Sequence, residues 1–285
     1  MTKTVVFYFY YYMRIIDLTE SYRNKYIRDS NRDEYESSFP ELFSHYYKFW
    51  ARKDDNIATV DINDIQIRQQ WIKRLLEKLE RKLEETGIET GGIDLVYFIG
   101  VGSTNGHAFK HKDKFCVWLP LETYTSEMLV DVFVTHEIAH ALHYKNSPSF
   151  YFNTKDEQDR LSRTLITEGL ATYLTAKLFG VTDNQALWAD YLSETDAWEW
   201  YRMCHAEEYR LFGLIADNYH KSDHGLDIFY IADPDSIYSF RSGYYAGLGL
   251  IEWYAVEKNL TAAELLNLPR DIFEKDIFDL IQAHL

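Results

Sequence analysis

Residues 133 to 143 read FVTHEIAHALH, and this stretch constrains the chain more than any other, because it sets three histidines and a glutamate into an otherwise uncharged run. Phe133, Val134, Ile138, Ala139, Ala141 and Leu142 call for burial, and a helix of this sequence is polar on one face only. A solvated surface helix would not be so apolar around its charges. The stretch therefore predicts a helix covered by other elements, with its ionisable residues facing a place where they are needed.

At 3.6 residues per turn, His136 and His140 lie on one face about 6 Å apart along the axis, so two imidazole nitrogens can reach one ion. Glu137 flanks that face without being forced into a coordination sphere, where it can hold a water and take its proton. The bland alternative is a partly exposed helix that happens to carry three of the chain's 10 histidines. The apolar surroundings weigh against it.

A catalytic zinc needs a third protein ligand and an open fourth position. His143 falls on the same face, but three residues of one straight helix do not easily surround a tetrahedral ion, so it reads as a supporting or packing residue. Glu168, in LSRTLITEGLATYLTAKLFG, is the better candidate. Leu165, Leu170, Leu174 and Leu178 give that helix an apolar side, and Gly169 and Ala171 permit close approach. A carboxylate in so apolar a segment needs a partner, and a zinc ion supplies one. The alternative for Glu168 is a glutamate on a helix surface.

The rest of the chain reads as α+β, strands first and helices after. Residues 3 to 16 are dense in Val, Phe and Tyr and predict a strand. A polar, looped stretch follows, then a helix from Pro40 with Leu42, Phe43, Tyr46, Tyr47 and Trp50 at helical spacing. A second helix starts at Asp61 or Asp64 as N-cap and ends at Gly87, with Ile65, Ile72, Leu75, Leu76, Leu79 and Leu83 as its stripe. Two β-rich runs, 93 to 101 and 115 to 121, form a hairpin or neighbouring strands around a loop containing Gly100, Gly102 and Gly106. Those glycines either let a ligand approach or make an ordinary turn. Helices then cover 126 to 145, 155 to 179, 184 to 221 in pieces, 241 to 258, and a short pair to the end. With no repeat and no linker, a single domain over 1–285 is the simplest organisation, 1–125 being strand-rich with two helices and 126–285 helical with the metal site.

Composition excludes some partners. The formal charge of -15, from 30 basic and 45 acidic residues, repels phosphate backbones and anionic lipids, so neither nucleic acid nor a membrane surface is expected to bind. Cys116 and Cys204 form no metal or disulfide spacing, the N-terminus lacks a signal-peptide pattern, and no run spans a bilayer, which together predict a cytoplasmic protein. The sequence does not fix an oligomeric state.

HExxH followed on the next helix by a glutamate in the context TEGLATYLT resembles the gluzincin metallopeptidases, and in particular the predicted Zn-dependent proteases of that clan. The match is specific over residues 131 to 178. It implies a zincin-like fold, with a small mixed sheet packed on the HExxH helix and a mostly helical C-terminal half. It also implies one Zn²⁺ held by His136, His140 and Glu168, Glu137 as general base, and hydrolysis of a peptide or small protein by a metal-activated water. The metzincin pattern fails, since Asn146 and His143 stand where a histidine and a glycine would be required. The gap from His140 to Glu168 is longer than in thermolysin-like enzymes, a departure that a loop around NSPSFYFNTKDEQ would absorb.

Aminopeptidases of this clan use a tyrosine from a downstream helix to stabilise the oxyanion, which points to Tyr244 and Tyr245 as a pair in SFRSGYYAGLGLIEWYAVEK. His205, His220 and His224 are alternative donors, and Arg241 is a candidate for a substrate carboxylate. No strand motif of the aminopeptidase type for binding an amino terminus is present. Substrate in such enzymes adds a strand to a sheet edge, and FCVWLPLETY, with Pro120 lacking an N–H, fits an edge. The competing functions are a non-catalytic zinc-containing peptide-binding module, for which Glu137 would be superfluous, and a metal-dependent amidase on a non-peptide substrate.

Overall fold

In the computed structural model, residues 6–10 and 13–285 are described. They fall into two compact units, Met1–Leu142 and His143–Leu285, and the boundary lies within one helix.

The first unit is built on a five-stranded sheet of β1 (Val6–Tyr10), β2 (Met13–Asp17), β3 (Ile93–Phe98), β4 (His107–His111) and β5 (Lys114–Pro120), in the order β1-β2-β3-β5-β4. β2, β3 and β5 run parallel, while β1 and β4 flank them antiparallel. Inner parallel strands are covered on both faces, and β3 is buried at every position, as that requires.

The crossover from β2 to β3 passes through α1 (Thr19–Ser21), a π-helical segment Tyr22–Arg28, α2 (Arg32–Glu36), α3 (Pro40–Phe49) and α4 (Ile62–Glu85). The anticipated stripe of α4 is buried throughout, and Asp61 caps it by accepting from the Asn63 N–H at 2.7 Å. α3 lays aromatic rings on the sheet: Tyr46 meets Phe98 at 5.4 Å and Trp118 at 5.5 Å. His45 stacks on His107 at 5.4 Å, and burial, helped by the Lys48 charge, pushes its pKa from 6.5 down to about 4. After β5 a 3₁₀ turn leads into α5 (Glu127–Leu129), a π-helical stretch Val130–Val134 on which α4 packs, and α6 (Thr135–Asn146).

Four expectations need correction. The single strand over 3 to 16 is a pair of antiparallel strands joined near Tyr10↔Met13, residues 3–5 and 11–12 lying outside the described residues. One strand of that length would run about 46 Å, far past its short neighbours. The stretch before Pro40 is helical, because Tyr22 and Tyr35, 1% and 0% exposed, turn a polar sequence inward, their rings 5.7 Å apart. The loop between the two β-rich runs contains β4, a strand of only five residues. Finally, β5 is no edge: β3 and β4 flank it, and Pro120 lies beyond its last β4 pair, Trp118↔His107.

The second unit is helical. It comprises the end of α6, α7 (Lys155–Gln158), α8 (Leu161–Phe179), α9 (Asp183–Trp188), α10 (Glu194–Ala206), α11 (Glu208–Asn218), α12 (Ser242–Lys258), α13 (Ala262–Leu266) and α14 (Arg270–His284). Its centre is the crossing of α8 and α12 at two glycines. A Cβ on Gly169 would lie 2.5 Å from the backbone of Gly247, and one on Gly247 would lie 2.7 Å from the Leu165 carbonyl oxygen. Leu165, Leu170 and Leu174 are 0–1% exposed beside that crossing. No helix among the described residues is long and apolar enough to cross a membrane.

Two outcomes follow. Gly247→Ala must push two helix backbones apart, so urea unfolding should show a loss of about 1–3 kcal/mol with an unchanged slope. His45 is neutral when folded and ordinary when unfolded, so only the unfolded state gains a proton between pH 6.5 and about 4. Stability should fall as pH drops through that window, and His45→Phe should flatten the fall.

Candidate metal centre

α6 carries the HExxH residues into the interior: His136, Glu137 and His140 are 6%, 9% and 4% exposed. The Nε2 atoms of His136 and His140 are 3.1 Å apart, with ring planes at 82°. Two nitrogens each about 2.05 Å from one tetrahedral ion would be separated by roughly 3.3 Å. The imidazoles thus already stand at the spacing a shared zinc requires, and the same spacing serves a single N–H···N bond. The helix immediately upstream is π-helical, a local widening that recurs at functional sites.

Glu137 lies against the turn before β4. A Cβ at Gly106, whose φ is +154°, would sit 2.7 Å from the Glu137 Cγ, so this position admits the glutamate only as glycine. The segment leading to it is pinned by side chains from around the unit. Tyr35 Oη donates to the Ile99 carbonyl and accepts from its N–H, both at 2.9 Å. Tyr46 Oη accepts from Val101 N–H at 3.0 Å, and Glu122 Oε1 accepts from Gly102 N–H at 3.0 Å. Burial pushes the Glu122 carboxyl up, partly offset by the backbone N–H groups of Gly100, Glu122 and Gly102. The Tyr124 hydroxyl donates to the Asn105 carbonyl, and Thr104 Oγ1 to the Gly106 carbonyl at 2.9 Å. The sequence allows Gly106 to be a turn or a ligand approach; the aromatic hydroxyls that fix it carry no local signal.

Glu168 sits midway along α8 and is half-buried, next to the Gly169–Gly247 contact. One ligand atom from each of His136, His140 and Glu168 lies within 4.8 Å of the others, a donor set that could hold a metal ion. Two imidazoles and one carboxylate match the chemistry of catalytic zinc sites. His143, 1% exposed, lies tilted against Phe150 at 4.4 Å and stacks with Tyr144 at 6.1 Å.

The two tyrosines on α12 differ. Tyr245 Oη donates to Glu208 Oε1 at 2.7 Å, its ring edge-on to Tyr201 at 4.9 Å, and burial together with that carboxylate raises its pKa. Tyr244 is half-buried one turn before Gly247, with the Arg241 guanidinium 4.3 Å from its ring centre and Phe229 edge-on at 5.6 Å. Arg241 holds a left-handed backbone at φ 59° and also faces Trp188 at 5.1 Å. Of the alternative donors, His205 has a side chain 71% exposed, His220 is exposed, and His224 Nδ1 accepts from Leu226 N–H at 3.0 Å.

Gly106→Ala should destabilise the protein by about 1–3 kcal/mol in chemical denaturation. Adding Glu137→Ala, which removes the Cγ in its way, should return at least about 0.5 kcal/mol of that loss. Strict additivity would show that the two residues do not press on each other.

No curated protein and no solved structure matches the chain. A family model does, the one described as "Predicted Zn-dependent protease (DUF2268)", over residues 99–275. Those residues include β4, β5, the HExxH helix, Glu168 and the whole of α12, well over half of the 285, and the chain belongs to that family of predicted Zn-dependent proteases.

Proposed function

We propose that the protein is a gluzincin-type zinc peptidase with a zincin-like fold, in which one Zn²⁺ is held by His136, His140 and Glu168 and Glu137 is the general base. The observation that carries this reading is the 3.1 Å separation of the two Nε2 atoms on a buried helix, with the Glu168 carboxylate belonging to the same ligand group. Family membership supports the zinc and the protease chemistry at the coarser level.

When bound, the ion polarises the scissile carbonyl and lowers the pKa of the attacking water. Glu137 takes the proton of that water on a carboxylate oxygen and delivers it to the leaving amine nitrogen. Its chain is confined by Gly106, which limits the positions its carboxylate can take. For the developing oxyanion we choose Tyr244 over Tyr245, since the Tyr245 proton is directed to Glu208, whereas Tyr244 lies on the α12 turn that leads to the Glu168 helix. The edge strand β4, which follows Gly106, is the place for an extended peptide to add as a further strand. We propose peptides or small proteins as substrates, no nucleic-acid or lipid partner, and a cytoplasmic setting. The cysteines Cys116 and Cys204 are both unpaired and buried, and burial pushes each thiol up to about 12.

Zinc content and hydrolysis of a mixed peptide library test this together. Purified protein should hold close to one equivalent of Zn²⁺, lose cleavage to a chelator and regain it with added Zn²⁺. Glu137→Gln should keep the metal and lose at least about 10²-fold in turnover. Zinc binding without any cleavage by the unaltered protein would instead identify a peptide-binding module, and turnover retained by Glu137→Gln would remove the glutamate from the mechanism.

A further inference from the structure

Arg163, the third residue of α8, is 3% exposed. Its Nε donates to the Phe150 carbonyl at 2.6 Å and its Nη2 to the Tyr144 hydroxyl at 2.9 Å. The guanidinium carbon lies 4.9 Å from the Phe152 ring centre and 5.7 Å from that of Tyr144. Glu157 feels this charge at longer range. A permanently charged group is thus held by one carbonyl, one hydroxyl and two aromatic faces.

Filling space does not explain it. Burying a charge carries a desolvation penalty of several kcal/mol, and an apolar residue of similar volume would often serve stability as well or better. What an arginine adds is a rigid planar fork that fixes two acceptors relative to each other. Here the two acceptors are Tyr144, one turn beyond His140 on α6, and Phe150, in the connection from α6 to α8. Arg163 precedes Glu168 by five residues, about 7.5 Å along the axis. The Gly169–Gly247 contact sets how close α8 lies to α12. The fork sets something different: how far α8 is slid and rotated against the end of the helix that bears the imidazoles.

We infer that Arg163 is a positioning residue for the metal centre, acting through Tyr144 to hold Glu168 within reach of the His136 and His140 pair. The inference rests on the reading of Glu168 as the third ligand. It predicts an energetic coupling between Arg163 and Glu168, two residues whose side chains need not touch.

The test is Zn²⁺ affinity, measured by competition with a chromophoric chelator at fixed pH, in the unaltered protein, Arg163→Lys, Glu168→Ala and the double variant. Arg163→Lys keeps the charge and loses the fork, and should weaken Zn²⁺ binding about 10- to 100-fold, the range seen when outer partners of metal ligands are removed. In the Glu168→Ala protein, already weakened, the same substitution should change affinity by less than about twofold. Tyr144→Phe, which removes one acceptor and leaves the core filled, should reproduce part of the loss and serves if Arg163→Lys folds poorly. Equal losses in both backgrounds would make Arg163 a general structural residue and overturn the inference. So would an unchanged affinity in Arg163→Lys beside a weakened Glu168→Ala. Should Glu168→Ala itself bind Zn²⁺ normally, the ligand assignment falls, and this inference falls with it.

Discussion

Two imidazole nitrogens 3.1 Å apart, on residues each less than a tenth exposed, are the constraint around which the rest is arranged. Both rings cannot carry a proton's charge there: two unit charges at that distance repel by about 5 kcal/mol even at an effective dielectric constant of 20. Either one ring donates to the other or both face a shared cation. On the reading proposed above, a divalent ion would account for the two rings and the Glu168 carboxylate together, since it would offset negative charge that apolar surroundings otherwise penalise.

The scaffold meets that constraint by bringing backbone close where side chains would block it. Gly106 gives Glu137 room on one side, and the hydroxyls of Tyr35, Tyr46 and Tyr124, with the Glu122 carboxylate, hold the segment leading to it. Gly169 and Gly247 let α8 and α12 touch, which places the Glu168 turn and the Tyr244 turn on adjoining helices. Packing of this density leaves few alternative positions for the side chains it surrounds.

What could be read from the sequence was what depends on local spacing. The HExxH helix, the stripe and cap of α4, and the helices of the C-terminal half follow from periods of three and four residues. Glu168 stood out because a carboxylate in an apolar helix has to be explained. Arg163 is a second charge on the same helix, but Ser162 and Thr164 beside it make a solvated position look natural, and its burial shows only in the fold. Gly106 and β4 were hidden for another reason: their meaning lies in contacts with residues far along the chain, and a five-residue strand carries little periodicity. Tyr244 and Tyr245 were inseparable by spacing, and the Glu208 carboxylate that distinguishes them is 37 residues away from Tyr245. The polar composition of residues 19 to 36 concealed a helical segment, because a few tyrosines there provide most of the burial.

The central claim is that one metal ion joins the HExxH helix to Glu168. An anomalous-difference map at the zinc edge, from crystals of the zinc-loaded protein, tests it most directly. The account predicts a single peak about 2.0–2.2 Å from the Nε2 atoms of His136 and His140 and from a Glu168 carboxylate oxygen. A peak ligated by His143, or one at His45 and His107, or one from which Glu168 is absent, would contradict it.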